Sequence, residues 1–129
     1  MKYNETKIET LFDKLVIRQF GSGCFIDRNP AEEDIRLARE GLRICDEIMA
    51  SGEYDIVVLD ELTIALYFRL LNIEEVLHAL SRRAPHTEVI ITGRYAPEEL
   101  IDRADLVTDM QEVKHYYTGG VLSREGIDR

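Results

Sequence analysis

The chain has 129 residues, 45% of them apolar or aromatic, which is enough to bury the core of a single domain. Its 25 acidic residues against 16 basic ones give a formal charge of −9, which opposes nonspecific attraction to nucleic acid or to an anionic membrane, so neither partner is expected. The isolated Cys24 and Cys45 suggest neither a zinc site nor a disulfide framework, and they fit a reducing cytosol. The opening residues lack the apolar core of a signal peptide, and no run nears the ~20 apolar residues that span a bilayer, so a soluble, cytoplasmic protein is expected.

Along residues 3–13, Ile8, Leu11 and Phe12 recur at helical spacing, and residues 15–20, LVIRQF, then read as a short strand ended by the glycines of GSG. Asn29, Pro30 and Glu32 have the layout of a helix start. The helix they open carries Ile35, Ala38, Leu42, Cys45 and Met49 as one apolar stripe, and Gly52 is its expected stop. Residues 54–59 read as a strand whose apolar run, Ile56 to Leu59, has the pattern of a parallel strand buried on both faces. Asn72 and Glu75 make a capping pair ahead of a helix whose face is Ile73, Val76, Leu77 and Leu80, and a strand over residues 88–92 follows. Pro97, Glu98 and Glu99 open a short helix, and residues 105–110 suggest a last strand. The tail from residue 113 onward shows no periodicity. Strands alternating with amphipathic helices give an α/β fold, a mostly parallel sheet covered by helices, in one domain over residues 1–129.

In such a sheet, ligands gather beyond the carboxyl ends of the strands. Asp60 and Glu61 stand at one such end, directly after the run Ile56, Val57, Val58 and Leu59. Two carboxylates there suit Mg²⁺, directly or through water, and Mg²⁺ in turn binds a triphosphate. The competing reading makes either residue a simple cap of the next helix. Arg94, in Thr92-Gly93-Arg94 at the end of the next strand, is placed to meet phosphate or a carboxamide-rich ligand, unless solvent alone surrounds it. Lys114 and His115 are further candidates for an anionic ligand, whereas His78 and His86 read as surface residues. An acidic strand end of this kind normally works beside a G-x-x-x-x-G-K-[ST] phosphate loop. No glycine in these 129 residues is followed at that spacing by Gly-Lys.

Taken in order, the segments EEDIRLAREG, SGEYDIVVLDELTIAL, NIEEVLHAL, VIITGRYAPEELIDRADLVTDM and VKHYYTGGVLSREGID resemble the P-loop class of ATP:corrinoid adenosyltransferases, which act on cob(I)alamin or cob(I)yrinic acid a,c-diamide. The resemblance covers nearly all of the chain after Asn29, and GSGCF before it also looks like a family segment. It implies a partial RecA-like P-loop NTPase fold without the P-loop strand, corresponding to the C-terminal part of the family fold. The family reaction is attack of a Co(I) corrinoid on the 5′ carbon of ATP with loss of triphosphate, in cobalamin synthesis or salvage. By resemblance, Asp60 and Glu61 would serve Mg²⁺ and triphosphate, Arg94 would lie near nucleotide or corrinoid, and residues 114–120, with Lys114 and His115, would help shape the site.

Two departures stand out. The family's phosphate loop and first strand lie N-terminal to the matched region, and where members carry Lys-Ala-Gln after Gly-Val this chain has Leu122, Ser123 and Arg124. Weak ATP binding by the chain alone is therefore expected. Three versions stay open: half of a split enzyme completed by a separately encoded P-loop subunit, a non-catalytic paralogue that binds corrinoid or a partner, and an incomplete product of a longer gene. A sheet edge left by the missing strand favours a homo-oligomer. A small regulatory α/β module with Asp60 as a receiver-like acidic site is the reading from another class.

Overall fold

The computed structural model describes residues 4–21 and 30–124, which fall into two units, residues 20–105 and residues 1–19 with 106–129. In the first unit, helix α1 (Glu32–Ser51) begins with Glu32, Glu33 and Asp34, whose charges suit the positive end of the helix dipole. The Asp34 carboxylate accepts the Ala31 N–H at 3.0 Å. The cap position is thus Ala31, with Pro30 just before it, and the expected cap Asn29 lies outside the described residues. Gly52, at φ 69° in the left-handed region, ends the helix where the sequence predicts. Of the apolar stripe, Ala38, Leu42, Cys45 and Met49 reach the core.

Strands β1 (Ile56–Leu59) and β2 (Glu88–Ile91) are parallel, with Ile56 opposite Glu88 and Leu59 opposite Ile91. Parallel strands need a crossover, and here it contains two helices, α2 (Leu62–Tyr67) and α3 (Ile73–Ser81). The Asn72 N–H donates to the Glu75 carboxylate at 3.3 Å, the returning half of a capping box, and α3 buries Val76, Ala79 and Leu80. Helix α4 (Glu98–Arg103) adds Leu100. Met49, Leu59, Leu62, Leu71, Val76, Ala79, Leu80 and Leu100 form one cluster, where each large side chain contributes about 1.5–3 kcal/mol by burial. Below the strands, the buried Thr87 hydroxyl donates to the Tyr54 carbonyl at 2.9 Å and ties the two strand entries together.

Three sequence expectations are corrected. The sheet is not buried on both faces: Val57, Leu59, Val89 and Ile91 turn to the cluster, while the alternate residues Ile56, Val58 and Ile90 are 56%, 54% and 48% exposed. All four helices contribute to the cluster or pack with it, which leaves the opposite face open. Residues 15–20 and 105–110 form no strand. Their apolar residues favour extended backbone, but a strand also needs a neighbour for its N–H and C=O groups, and Leu106 and Met110 remain 84% and 90% exposed. The opening helix is a 3₁₀ turn, Asn4–Thr10, in which the Thr10 hydroxyl donates to the Lys7 carbonyl at 2.7 Å. Among the described residues no helix is long and apolar enough to cross a membrane.

Candidate functional site

The site is built where β1 and β2 end. The parallel register pairs Leu59 with Ile91, so the next residues, Asp60 and Thr92, stand level with each other. The ladder continues one step further, with the Thr92 N–H donating to the Leu59 carbonyl at 3.3 Å. The Thr92 hydroxyl donates to Asp60 Oδ1 at 2.5 Å and accepts the Glu61 N–H at 3.0 Å. Thr63, buried at the start of α2, donates its hydroxyl to the Thr92 carbonyl over a long 3.5 Å.

Glu61 occupies the cap position of α2 with φ 57°, a left-handed conformation that is uncommon and costly for a side chain of this kind. Its carboxylate makes no capping hydrogen bond. Helix α2 instead starts on the Glu61 carbonyl, which accepts the N–H groups of Ile64 and Ala65 at 3.0 and 3.3 Å. Glu61 thus holds the cap position through its backbone and not through a side-chain hydrogen bond. Both carboxylates are exposed, and among the described residues the Glu61 carboxylate has no hydrogen-bond or ion-pair partner.

Beyond Thr92 the chain turns through Gly93 at φ 132°, where a Cβ would lie 2.1 Å from Thr63 Oγ1. Only glycine fits this approach. Arg94 follows, exposed and with no carboxylate paired to it among the described residues. Tyr95, again left-handed at φ 59°, lays its ring against Tyr67 with centroids 4.4 Å apart. The loop after β2 thus runs beside α2, from Thr63 to Tyr67, and carries Arg94 between the two contacts.

Lys114 and His115 belong to the other unit. His115 stacks on Tyr116 at 4.5 Å and caps the 3₁₀ turn Tyr116–Gly119, its Nδ1 accepting the Tyr117 N–H at 3.1 Å. The Arg124 guanidinium lies 4.9 Å from the Tyr116 ring centroid. His78 and His86 are exposed, as expected, and His86 Nε2 lies 2.9 Å from the Gly52 carbonyl oxygen.

Among the described residues no group of three or more His, Cys, Asp or Glu side chains could hold a metal ion. A divalent cation at the strand end would draw on the Asp60 and Glu61 carboxylates and complete its shell with water and phosphate. Mg²⁺, which keeps several waters and binds through one or two carboxylates plus substrate phosphates, fits that donor set. A shallow concavity of about 420 Å³ lies elsewhere, on α1 between Glu32, Arg36, Arg39 and Arg43, whose arginines are paired with nearby carboxylates. Thr92 and Thr63 carry the geometry of the acidic end, yet sequence reading singled out neither. The signal that could have found Thr92 is positional: two parallel strands of equal length place a hydroxyl directly beside the first acidic residue.

A sequence model of the family described as ATP:corrinoid adenosyltransferase BtuR/CobO/CobP matches residues 1–128. The chain belongs to the ATP:corrinoid adenosyltransferase family. Among its relatives in this family is the corrinoid adenosyltransferase of Escherichia coli, 36% identical over 107 residues that make up 83% of this chain and 55% of that protein. The corrinoid adenosyltransferase of a Sinorhizobium species is 33% identical over 109 residues, 84% of this chain and 51% of the relative. Corrinoid adenosyltransferase CobA of Salmonella typhimurium is 43% identical over 81 residues, 63% of this chain and 41% of that one. The chain thus spans about half the length of the curated relatives it matches. The family read from the motifs and the α/β fold with parallel strands are both borne out.

Proposed function

We propose that residues 1–129 form one corrinoid adenosyltransferase-like domain that supplies the acidic half of the nucleotide site. The reaction is transfer of the adenosyl group of ATP to a Co(I) corrinoid: the cobalt electron pair forms the bond to the 5′ carbon, the bond from that carbon to oxygen breaks, and triphosphate leaves with its electrons. Bound Mg²⁺ supplies charge neutralisation on the triphosphate. Asp60 and Glu61 would hold it at the end of β1, and Arg94, paired with no carboxylate among the described residues, offers its guanidinium to phosphate or to the corrinoid periphery. Lys114 and His115 also serve nucleotide or corrinoid binding. The phosphate cradle comes from a G-x-x-x-x-G-K-[ST] segment outside these 129 residues, as in a separately encoded P-loop subunit, and the reaction takes place in the cytoplasm.

One observation carries this reading: the acidic pair is organised, with Asp60 hydrogen-bonded at 2.5 Å and Glu61 held left-handed, at the carboxyl ends of two parallel strands. Hydrogen bonds to charged groups are worth about 1.5–3 kcal/mol each, so a site without its phosphate cradle should bind ATP orders of magnitude more weakly. Calorimetry of the chain with Mg-ATP, alone and with a polypeptide carrying the phosphate loop of a full-length relative, tests this. Little or no heat alone and clear binding together is the expected result. Micromolar binding by the chain alone would show a different cradle and overturn this division of the site.

A further inference from the structure

A hydroxyl has one proton and two lone pairs, so a hydroxyl that both donates and accepts is fixed in rotation. Thr92 is in that position, donating to Asp60 Oδ1 and accepting from the Glu61 backbone, while its own N–H and C=O are tied to Leu59 and Thr63. The four contacts reach residues 59, 60, 61 and 63, so one residue of β2 holds the whole turn from β1 into α2. Asp60 has no other hydrogen-bond partner among the described residues, and Oδ2 is left for a ligand. At 2.5 Å the contact sits at the short end for a hydroxyl on a carboxylate, as expected of a charge-assisted bond.

We propose that Thr92 is a positioning residue: it orients the Asp60 carboxylate toward the cation and fixes the Glu61 backbone from which the second carboxylate projects. This rests on the reading of Asp60 and Glu61 as the cation-holding pair. A freely rotating carboxylate must give up rotational entropy to bind a cation, whereas one already held by a hydroxyl has lost it on folding. The hydroxyl is what matters, so serine at this position should serve and an isosteric methyl should not.

Manganese(II), a paramagnetic stand-in for Mg²⁺, reports on this even when binding is weak. It is titrated into the 129-residue chain and followed by broadening of the amide signals of residues 59–63 and 91–94, for wild type, Thr92→Ser, Thr92→Val and Thr92→Ala. Broadening centred on Asp60 and Glu61 is expected in wild type and Thr92→Ser. In Thr92→Val and Thr92→Ala the Mn²⁺ concentration for half effect should rise about tenfold, the usual scale for losing a partner of a metal ligand. Two hydroxyl-free variants of different bulk keep the comparison alive if one folds poorly, and signals far from the site report folding. Equal Mn²⁺ response in wild type and the hydroxyl-free variants would overturn the role of Thr92 and leave the cation site standing. No broadening at the wild-type strand end would overturn both.

Discussion

At the scale of single residues, the tightest constraint lies at Gly93, not at a charged group. Its φ of 132° is strained for any side chain, and an added Cβ would stand 2.1 Å from Thr63 Oγ1. Gly93→Ala should therefore cost about 1–3 kcal/mol from the backbone conformation alone, with the clash in addition. Adding Thr63→Ala removes the clash but not the strain, so the double variant should recover only part of the loss in urea unfolding. Unchanged stability in Gly93→Ala would show that the strand end is not held as described. The carboxylates of this site were legible in sequence, because two acidic residues after four apolar ones mark a strand end whatever the neighbours. Thr92 was not, because its role arises from the register between two strands 32 residues apart. The backbone cap made by His115, whose Nδ1 accepts the Tyr117 N–H, was likewise not legible, because it depends on the local turn.

At the scale of elements, α1 and α3 were legible because 20 and 9 residues hold enough apolar positions to define a stripe. Helix α2, six residues long and begun by a left-handed Glu61, was not, since a stripe needs more turns than it has. The strands expected over residues 15–20 and 105–110 failed for another reason: periodicity reports a preference for extended backbone and cannot report a partner. The outer surface of α1 gives a pH prediction. Arg36 donates to both oxygens of Glu33 at 2.8 and 2.7 Å, and Arg43 to both oxygens of Glu40 at 3.1 and 2.9 Å. These hydrogen bonds first, and the charge of each arginine with them, hold both carboxyls below their usual value of 4.5. A carboxyl with a lowered folded value stabilises the fold at any pH above its unfolded value, and that contribution fades as pH falls through the folded one. The thermal midpoint should thus fall as pH drops below the usual carboxyl value of 4.5, less steeply in Glu33→Gln/Glu40→Gln. Both pairs are exposed, so high salt should shrink the difference. Identical slopes in the two proteins at low salt would remove these pairs from the account.

At the scale of the molecule, one face of the sheet is left open by the helices of its own unit. Ile56, Val58 and Ile90 present contiguous apolar surface of a kind that commonly marks an interaction site. The sequence pattern predicted this sheet to be covered on both faces, and the helices of this unit cover one. In the proposed function, Asp60 and Glu61 act on the triphosphate of ATP, not as helix caps. Adenosyl transfer to a reduced corrinoid, measured with the chain and a phosphate-loop polypeptide together, tests it most directly when wild type is compared with Asp60→Asn and Glu61→Gln. Each substitution keeps size and removes the charge that holds the cation. A rate loss of roughly tenfold to a hundredfold is expected in each, with the thermal midpoint of the chain unchanged. Full rates in both variants, or a lowered midpoint with normal rates, would rule out that role for the acidic pair.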